Sequence, residues 1–77
     1  MSIRVRTIPS LDRYKIADMD ESSNPVYYGF LALNSDWYIL KNDTTLKTYR
    51  YTKGTGDYPT NWTDKANLIY DYLDEVF

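Results

Sequence analysis

Apolar and polar residues alternate over most of the chain, with the period of two that is typical of half-buried β-strands. This pattern predicts strands at residues 2–8, 13–17, 26–33, 37–41 and 46–53. Short polar turns separate the last three segments, so we expect an antiparallel β-meander of three to five strands. The segment 18–24 is polar and acidic and is followed by Pro25, which predicts a loop.

Two of the predicted strands have informative faces. The strand at 26–33 is almost wholly apolar or aromatic, which indicates that both of its faces are covered. The strand at 46–53 places Tyr49, Tyr51 and Lys53 on one side. An aromatic and basic row of this kind resembles platforms that stack single-stranded bases, but packing within the core is the better explanation in an acidic chain.

The apolar period changes from two to 3.6 after Gly54, Gly56 and Pro59. At about 100° per residue, one arc of about 120° collects the apolar side chains of the C-terminal segment. These are Trp62, Ala66, Ile69, Tyr70, Leu73, Val76 and Phe77. The stripe predicts one C-terminal amphipathic helix packed on the sheet. The expected fold class is therefore α+β, with a single domain at 1–77 and an extended arm or edge strand at 1–9.

Two features of the chain predict contact with other proteins. Leu68 and Tyr72 are four residues apart and off the main stripe, so on a helix they form a second apolar patch that the sheet leaves uncovered. Arg4 and Arg6 make the start of the chain basic, whereas residues 64–77 are acidic. This asymmetry suits head-to-tail contact between copies, with solvated charged faces as the alternative explanation. We predict an interface that includes Leu68, Tyr72, Arg4 and Arg6.

The composition indicates that the domain gains stability from contact with other proteins rather than from disulfides or bound metal ions. The chain of 77 residues has neither Cys nor His, which removes disulfides and the usual zinc and copper ligands. A domain of this size has a marginal core and often gains stability from association. Thirteen aromatic residues, nine of them Tyr, are more than so small a core can easily hold, so some are expected at a contact.

The charge and hydropathy of the chain bear on its partners and location. The net charge of −2 argues against a nucleic-acid partner, because a negatively charged protein does not attract the phosphate backbone as a whole. No apolar run approaches the ~18 residues that a membrane span needs, and the N-terminus lacks the layout of a signal peptide. We therefore expect a soluble, unprocessed protein without a membrane partner.

No catalytic or cofactor site is predicted. Without His or Cys, catalysis would depend on carboxylates, Lys, Tyr or Ser, and the carboxylates fall in loops or on the polar side of the predicted helix. Asp18, Asp20 and Glu21 form the densest acidic cluster, but the segment lacks the ligand spacing and the glycine of a calcium loop, which favours a solvated turn. The Lys53-Gly54-Thr55-Gly56 segment has its lysine before the glycines, the reverse of a phosphate-binding loop.

A pattern of aromatic residues and glycines runs from residue 26 to the end of the chain, about two-thirds of its length. It comprises Tyr27, Tyr28 and Gly29, then Trp37, Tyr38 and Ile39, then Tyr49, Tyr51, Lys53 and Gly54, and finally Trp62, Lys65, Leu68 and Tyr70. The pattern resembles a recurrent small domain of tailed-bacteriophage structural proteins, in which an Arg is more common at the position of Lys65. The resemblance implies a virion component present in many copies, such as a head decoration, neck or tail-associated protein.

The leading functional hypothesis is a non-enzymatic bacteriophage virion structural protein that acts through contacts with other virion proteins or with copies of itself. It would be located in the virion and, during assembly, in the host cytoplasm. The alternative is a small phage protein that binds and inhibits a bacterial host enzyme. A single-stranded nucleic-acid binder is a third possibility and predicts binding that weakens steeply with salt.

Overall fold

The computed structural model describes residues 11–77, which form one four-stranded antiparallel sheet with short helical segments after it. The strands are β1 (Lys15–Asp20), β2 (Val26–Leu31), β3 (Asp36–Asp43) and β4 (Thr48–Thr55). They are adjacent in chain order, so the predicted meander is confirmed with four strands. The predicted arm at 1–9, the predicted strand at 2–8 and the interface residues Arg4 and Arg6 lie outside the described residues.

The first strand begins and ends later than its sequence pattern suggests. It was predicted at 13–17, but it runs to Asp20 within the segment predicted as a loop. A β-bulge between Ile16 and Asp18 shifts its pairing with β2, because Ala17 has no partner of its own. The bulge interrupts the alternation of side chains, which explains why the sequence pattern ended too early.

One face of the sheet holds the main core. Cross-strand pairing aligns Gly29 of β2, Ile39 of β3 and Thr52 of β4, and Ile39 is the most completely buried residue, at 0% exposure. The core cluster on this face consists of Tyr27, Trp37, Ile39 and Tyr58, and it is contacted by Leu31, Trp62, Leu68 and Tyr70. We call this side the helix-covered face, since the helix after β4 lies on it.

The predicted C-terminal amphipathic helix is wrong as a continuous element. The segment instead forms α1 (Tyr58–Thr63), a 3₁₀ turn (Lys65–Asn67) and α2 (Leu73–Val76). Leu68 has extended backbone angles, and Asp71 exchanges two backbone hydrogen bonds with Tyr51 of β4, at 2.7 and 2.9 Å. The helical part is therefore limited to short segments, and the sheet dominates the architecture.

The break has a physical reason in the side chains between the two short helices. Leu68 and Tyr70 both pack against the main core, whereas Ile69 between them is 89% exposed. This is the period of a strand, and the free edge of β4 offers the backbone partners that a strand needs. The apolar positions at 62–77 fit a helical period equally well, so tertiary pairing decided between them.

The final segment passes around the edge of β4 and reaches the other face of the sheet. Phe77 packs there against Tyr14 and Tyr38, with ring centroids 6.4 and 5.5 Å apart and nearly perpendicular rings. Tyr14, Ala32 and Tyr38 form a second, smaller buried cluster. The C-terminal segment therefore contributes to the packing of both faces.

Polar side chains fix the end of the sheet where the β1–β2 and β3–β4 connections meet. The side-chain Oδ1 of Asn24 accepts hydrogen bonds from the backbone N–H and the hydroxyl of Thr44, at 2.8 and 2.9 Å. The side-chain amide nitrogen of Asn24 donates to the Thr45 hydroxyl at 3.0 Å.

Among residues 11–77, no helix is long and apolar enough to cross a membrane.

Candidate interaction surface

The face of the sheet opposite α1 presents a row of apolar and aromatic side chains, which we call the open face. The register of β1, β2 and β3 aligns Met19, Tyr28 and Leu40 directly across the sheet. Ile16 and Tyr49 lie on the same side, at the two margins of the sheet. The open face is defined here as Ile16, Met19, Tyr28, Leu40 and Tyr49.

Within residues 11–77, one end of this side of the sheet is covered by other parts of the chain. Tyr14 and Phe77 lie over Tyr38, and the Phe30 ring stacks on Tyr38 with a centroid distance of 4.5 Å and an angle of 9°. At the other end, Met19 is 57% exposed and Tyr49 is 55% exposed. Exposed apolar side chains that occur together on one face are typical of a contact surface.

Tyr28 connects the open face to the acidic β1–β2 loop. Its hydroxyl donates a hydrogen bond to the Glu21 carboxylate at 3.2 Å. Partial burial, followed by this hydrogen bond and the negative charge of Glu21, raises the pKa of Tyr28 above its usual value of 10.0. Tyr28 therefore stays neutral and presents an apolar ring with a fixed polar tip.

The acidic cluster that the sequence singled out is divided among three structural contacts. The Tyr58 hydroxyl donates to Asp18 at 2.9 Å, the Lys65 ammonium lies 3.2 Å from Asp20, and Tyr28 donates to Glu21. Among residues 11–77, no group of three potential metal ligands is brought together. These carboxylates thus tie β1 and its loop to the rest of the fold.

Hydrogen bonding and a nearby cation shift the ionisation of Asp20. The Ser22 hydroxyl donates to its carboxylate at 2.6 Å and the Ser22 backbone N–H does so at 3.1 Å. These bonds and the contact with Lys65 lower the pKa of Asp20 from 3.8 to about 2. Lys65 is itself held above the Trp62 ring, 4.6 Å from its centroid, so the ion pair joins β1 to the helix-covered face.

In the Lys53-Gly54-Thr55-Gly56 segment, Gly54 makes room for an aromatic ring. A Cβ at Gly54 would overlap the Trp37 ring, and the Trp37 indole N–H donates to the carbonyl oxygen of Gly56 at 2.8 Å. Gly56 has a φ of +73°, in the left-handed region that glycine tolerates. The segment thus closes over the core at the exit from β4.

The two predicted interface residues within the described part of the chain occupy different environments. Leu68 packs against the main core, so it does not share a helix face with Tyr72. Tyr72 is 56% exposed, and the Arg50 guanidinium lies over its ring at 4.1 Å from the centroid. The paired patch expected on a continuous helix is therefore not formed, and the involvement of these residues in an interface stays a prediction.

A surface depression of about 610 Å³ lies beside the start of β1. Its lining combines the cations of Arg13 and Lys15 with the apolar side chains of Leu31, Ala32 and Leu33. Arg13 is paired with Asp36 at 2.9 Å, which partly neutralises it. The lining offers charge and apolar surface for contact, without an acid and a base side by side.

Sequence reasoning missed the open face as a unit. Ile16 and Met19 are three residues apart, so strict alternation places them on opposite sides of a strand. The bulge at Ala17 puts them on the same side, and bulges of this kind leave no clear signal in a single sequence. Tyr49 was the only residue of the open face that the sequence assigned to an aromatic row with a possible binding role.

No family model matches the sequence, and comparisons with curated proteins and with solved structures gave no significant match. The resemblance to the tailed-bacteriophage domain therefore stays a prediction. Many residues that carry it meet in one place, since the main core cluster and its neighbours include Tyr27, Trp37, Ile39, Trp62, Leu68 and Tyr70. The pattern is thus a signature of core packing, which specifies a fold rather than a ligand.

Proposed function

We propose that the protein is a non-enzymatic bacteriophage virion subunit that acts through protein–protein contacts made by the open face. The observation that carries the proposal is the exposure of aligned apolar side chains on a folded sheet, with Met19 and Tyr49 more than half exposed. The resemblance of the sequence pattern to tailed-bacteriophage structural domains supports the virion setting.

The physical character of the open face suits a protein partner. Its side chains are Ile, Met, Leu and Tyr, which supply large apolar area with polar tips and little charge. Because the strands below it are hydrogen-bonded in a fixed register, the surface is preorganised and loses little conformational entropy on binding. A subunit repeated in a particle makes such contacts many times, so even a modest affinity per copy suffices.

The proposal is tested by substitution at Tyr49, which lies on the open face and away from the core. We expect Tyr49→Glu to reduce incorporation of the protein into purified particles by about tenfold or more, as is common for a tyrosine that contributes strongly to an interface. Ile69→Glu is the matched control, since Ile69 is 89% exposed and belongs to the extended segment after the 3₁₀ turn, outside the open face. Equal incorporation of both variants would exclude the open face as the contact surface.

The competing hypothesis of a host-enzyme inhibitor predicts a different stoichiometry. An inhibitor would be recovered from infected cells in a one-to-one complex with one host enzyme and would be missing from particles. Affinity purification of the full-length protein, followed by measurement of the molar ratio in the complex, separates this outcome from a virion subunit.

A further inference from the structure

We propose that the outer edge of β1 pairs with the same edge of a second copy, in antiparallel orientation, to form a continuous eight-stranded sheet. The inference deepens the proposed multi-copy function, on which it rests, by naming a second copy of the chain as one of the partners. Three observations support it: the edge of β1 that no strand of residues 11–77 occupies, the arrangement of charges and the position of the bulge.

Among residues 11–77, no strand occupies the outer edge of β1. Within residues 11–77, β1 pairs with β2 on one side and with no strand on the other. The opposite edge of the sheet differs, because Asp71 pairs with Tyr51 of β4. An unpaired edge presents backbone donors and acceptors that are well suited to another strand.

The side chains of β1 are complementary to themselves when two copies run antiparallel. When the two β1 strands overlap over their full length, Lys15 lies opposite Asp20 of the second copy, and Ile16 lies opposite Met19. A two-fold axis repeats both pairs, as expected for a symmetric dimer. Each interface then contains two charge pairs, in which Lys15 joins the existing pair of Asp20 with Lys65, and two apolar pairs. Pairs of both kinds stabilise adjacent strands. In a parallel in-register arrangement, each Asp would face an Asp.

The β-bulge makes this register compatible with the faces of the sheet. In a regular strand, residues five apart point to opposite sides, so Lys15 and Asp20 could not meet across a two-fold axis perpendicular to the sheet. The bulge at Ala17 brings Lys15, Asp18 and Asp20 to the helix-covered side, and Ile16 and Met19 to the other. Because both copies contain the same extra residue, the two bulges offset each other and the flanking pairs stay aligned.

The apolar residues of this edge are exposed in the single chain. Ile16 is 58% exposed and Met19 is 57% exposed, and Lys15 is also exposed. Pairing of two β1 edges would join the open faces of both copies into one continuous apolar surface. The dimer would thereby double the area that the open face presents to a larger partner.

The test measures the mass of the full-length protein by light scattering over a range of concentrations at low and high salt. Wild type is expected to form a dimer at rising concentration, and Ile16→Lys and Lys15→Asp are expected to weaken dimer formation by about tenfold or more. Lys47→Asp and Ile69→Lys make the same changes at exposed sites away from β1 and should leave the dimer intact. Salt should strengthen association of Lys15→Asp, because it screens the repulsion between acidic edges.

Several outcomes would overturn the inference. A wild-type monomer at every concentration would do so, as would β1 variants that fold and associate like wild type. If association is lost in Arg4→Glu/Arg6→Glu or in Tyr49→Glu but not in the β1 variants, the contact uses the N-terminal segment or the open face instead. The number of copies in purified particles tests the proposed function independently, so failure of one claim does not imply failure of the other.

Discussion

Gly29 of β2 lies directly beneath Tyr58 of α1, where the absence of a side chain lets the Tyr58 hydroxyl reach Asp18 of β1 at 2.9 Å. A Cβ at Gly29 would overlap that hydroxyl and would come within 2.9 Å of the Trp62 ring. The hydrogen bond connects the helix after β4 to the edge strand at the far side of the sheet. It therefore helps to hold β1 in place, and with it the margin of the open face.

Gly29→Ala tests this arrangement. We expect the added methyl group to displace Tyr58 and lower the free energy of unfolding by about 1–3 kcal/mol, as is usual when a packed core receives extra volume. Chemical denaturation monitored by tryptophan fluorescence measures the change. Tyr58→Phe, which removes only the hydrogen bond, should cost less, about 0.5–1.5 kcal/mol. A Gly29→Ala protein as stable as wild type would show that the contact is not tight.

Leu68 and Ile69 form a matched pair of neighbours with opposite environments. Leu68→Asp should lower the free energy of unfolding by about 2–3 kcal/mol, because it places a carboxylate against the core cluster. Ile69→Asp should change it by less than about 0.5 kcal/mol, since Ile69 is 89% exposed. Thermal unfolding of both variants provides the comparison. A larger effect at Ile69 than at Leu68 would support the continuous helix, because its apolar stripe includes Ile69 and excludes Leu68.

The lowered pKa of Asp20 predicts a loss of stability in acid. In the folded protein this pKa is about 2, whereas the ordinary value is 3.8, so the unfolded chain binds the proton first as the pH falls. The contribution of Asp20 is therefore fully present above about pH 4 and is lost as the pH falls toward 2. Denaturant titrations at pH 5, 4, 3 and 2 measure it. Asp20→Asn should show a shallower decline, and an identical decline would mean that Asp20 does not contribute.

The sheet could be predicted from the sequence because its signals are local. Strand β2 is an almost wholly apolar run, β3 and β4 follow the period of two, and short polar turns separate the three strands. Both the meander and the strand order therefore followed from the pattern. The aromatic row of Tyr49 and Tyr51 was placed on one side correctly. Tyr51 packs against the smaller buried cluster, as does Phe77, whereas Tyr49 is 55% exposed, so core packing explains only part of the row.

The rest depended on contacts between distant parts of the chain. Leu68 and Tyr70 fit either a helix or a strand, and the backbone pairing of Asp71 with Tyr51 selected the extended form. The bulge at Ala17 moved Ile16 and Met19 to one side, which created the open face and the self-complementary edge. Neither event is visible from propensity or periodicity, because each depends on what the neighbouring strand offers.

The most direct test of the central claim is the number of copies of the protein in purified particles, measured by quantitative mass spectrometry against a labelled standard. Particles should be prepared from cells that express the gene and separated by density from soluble protein. A virion subunit predicts many copies per particle in a fixed ratio to the other particle proteins. Expression in the cells together with absence from the particles would contradict the account and would favour a host target instead.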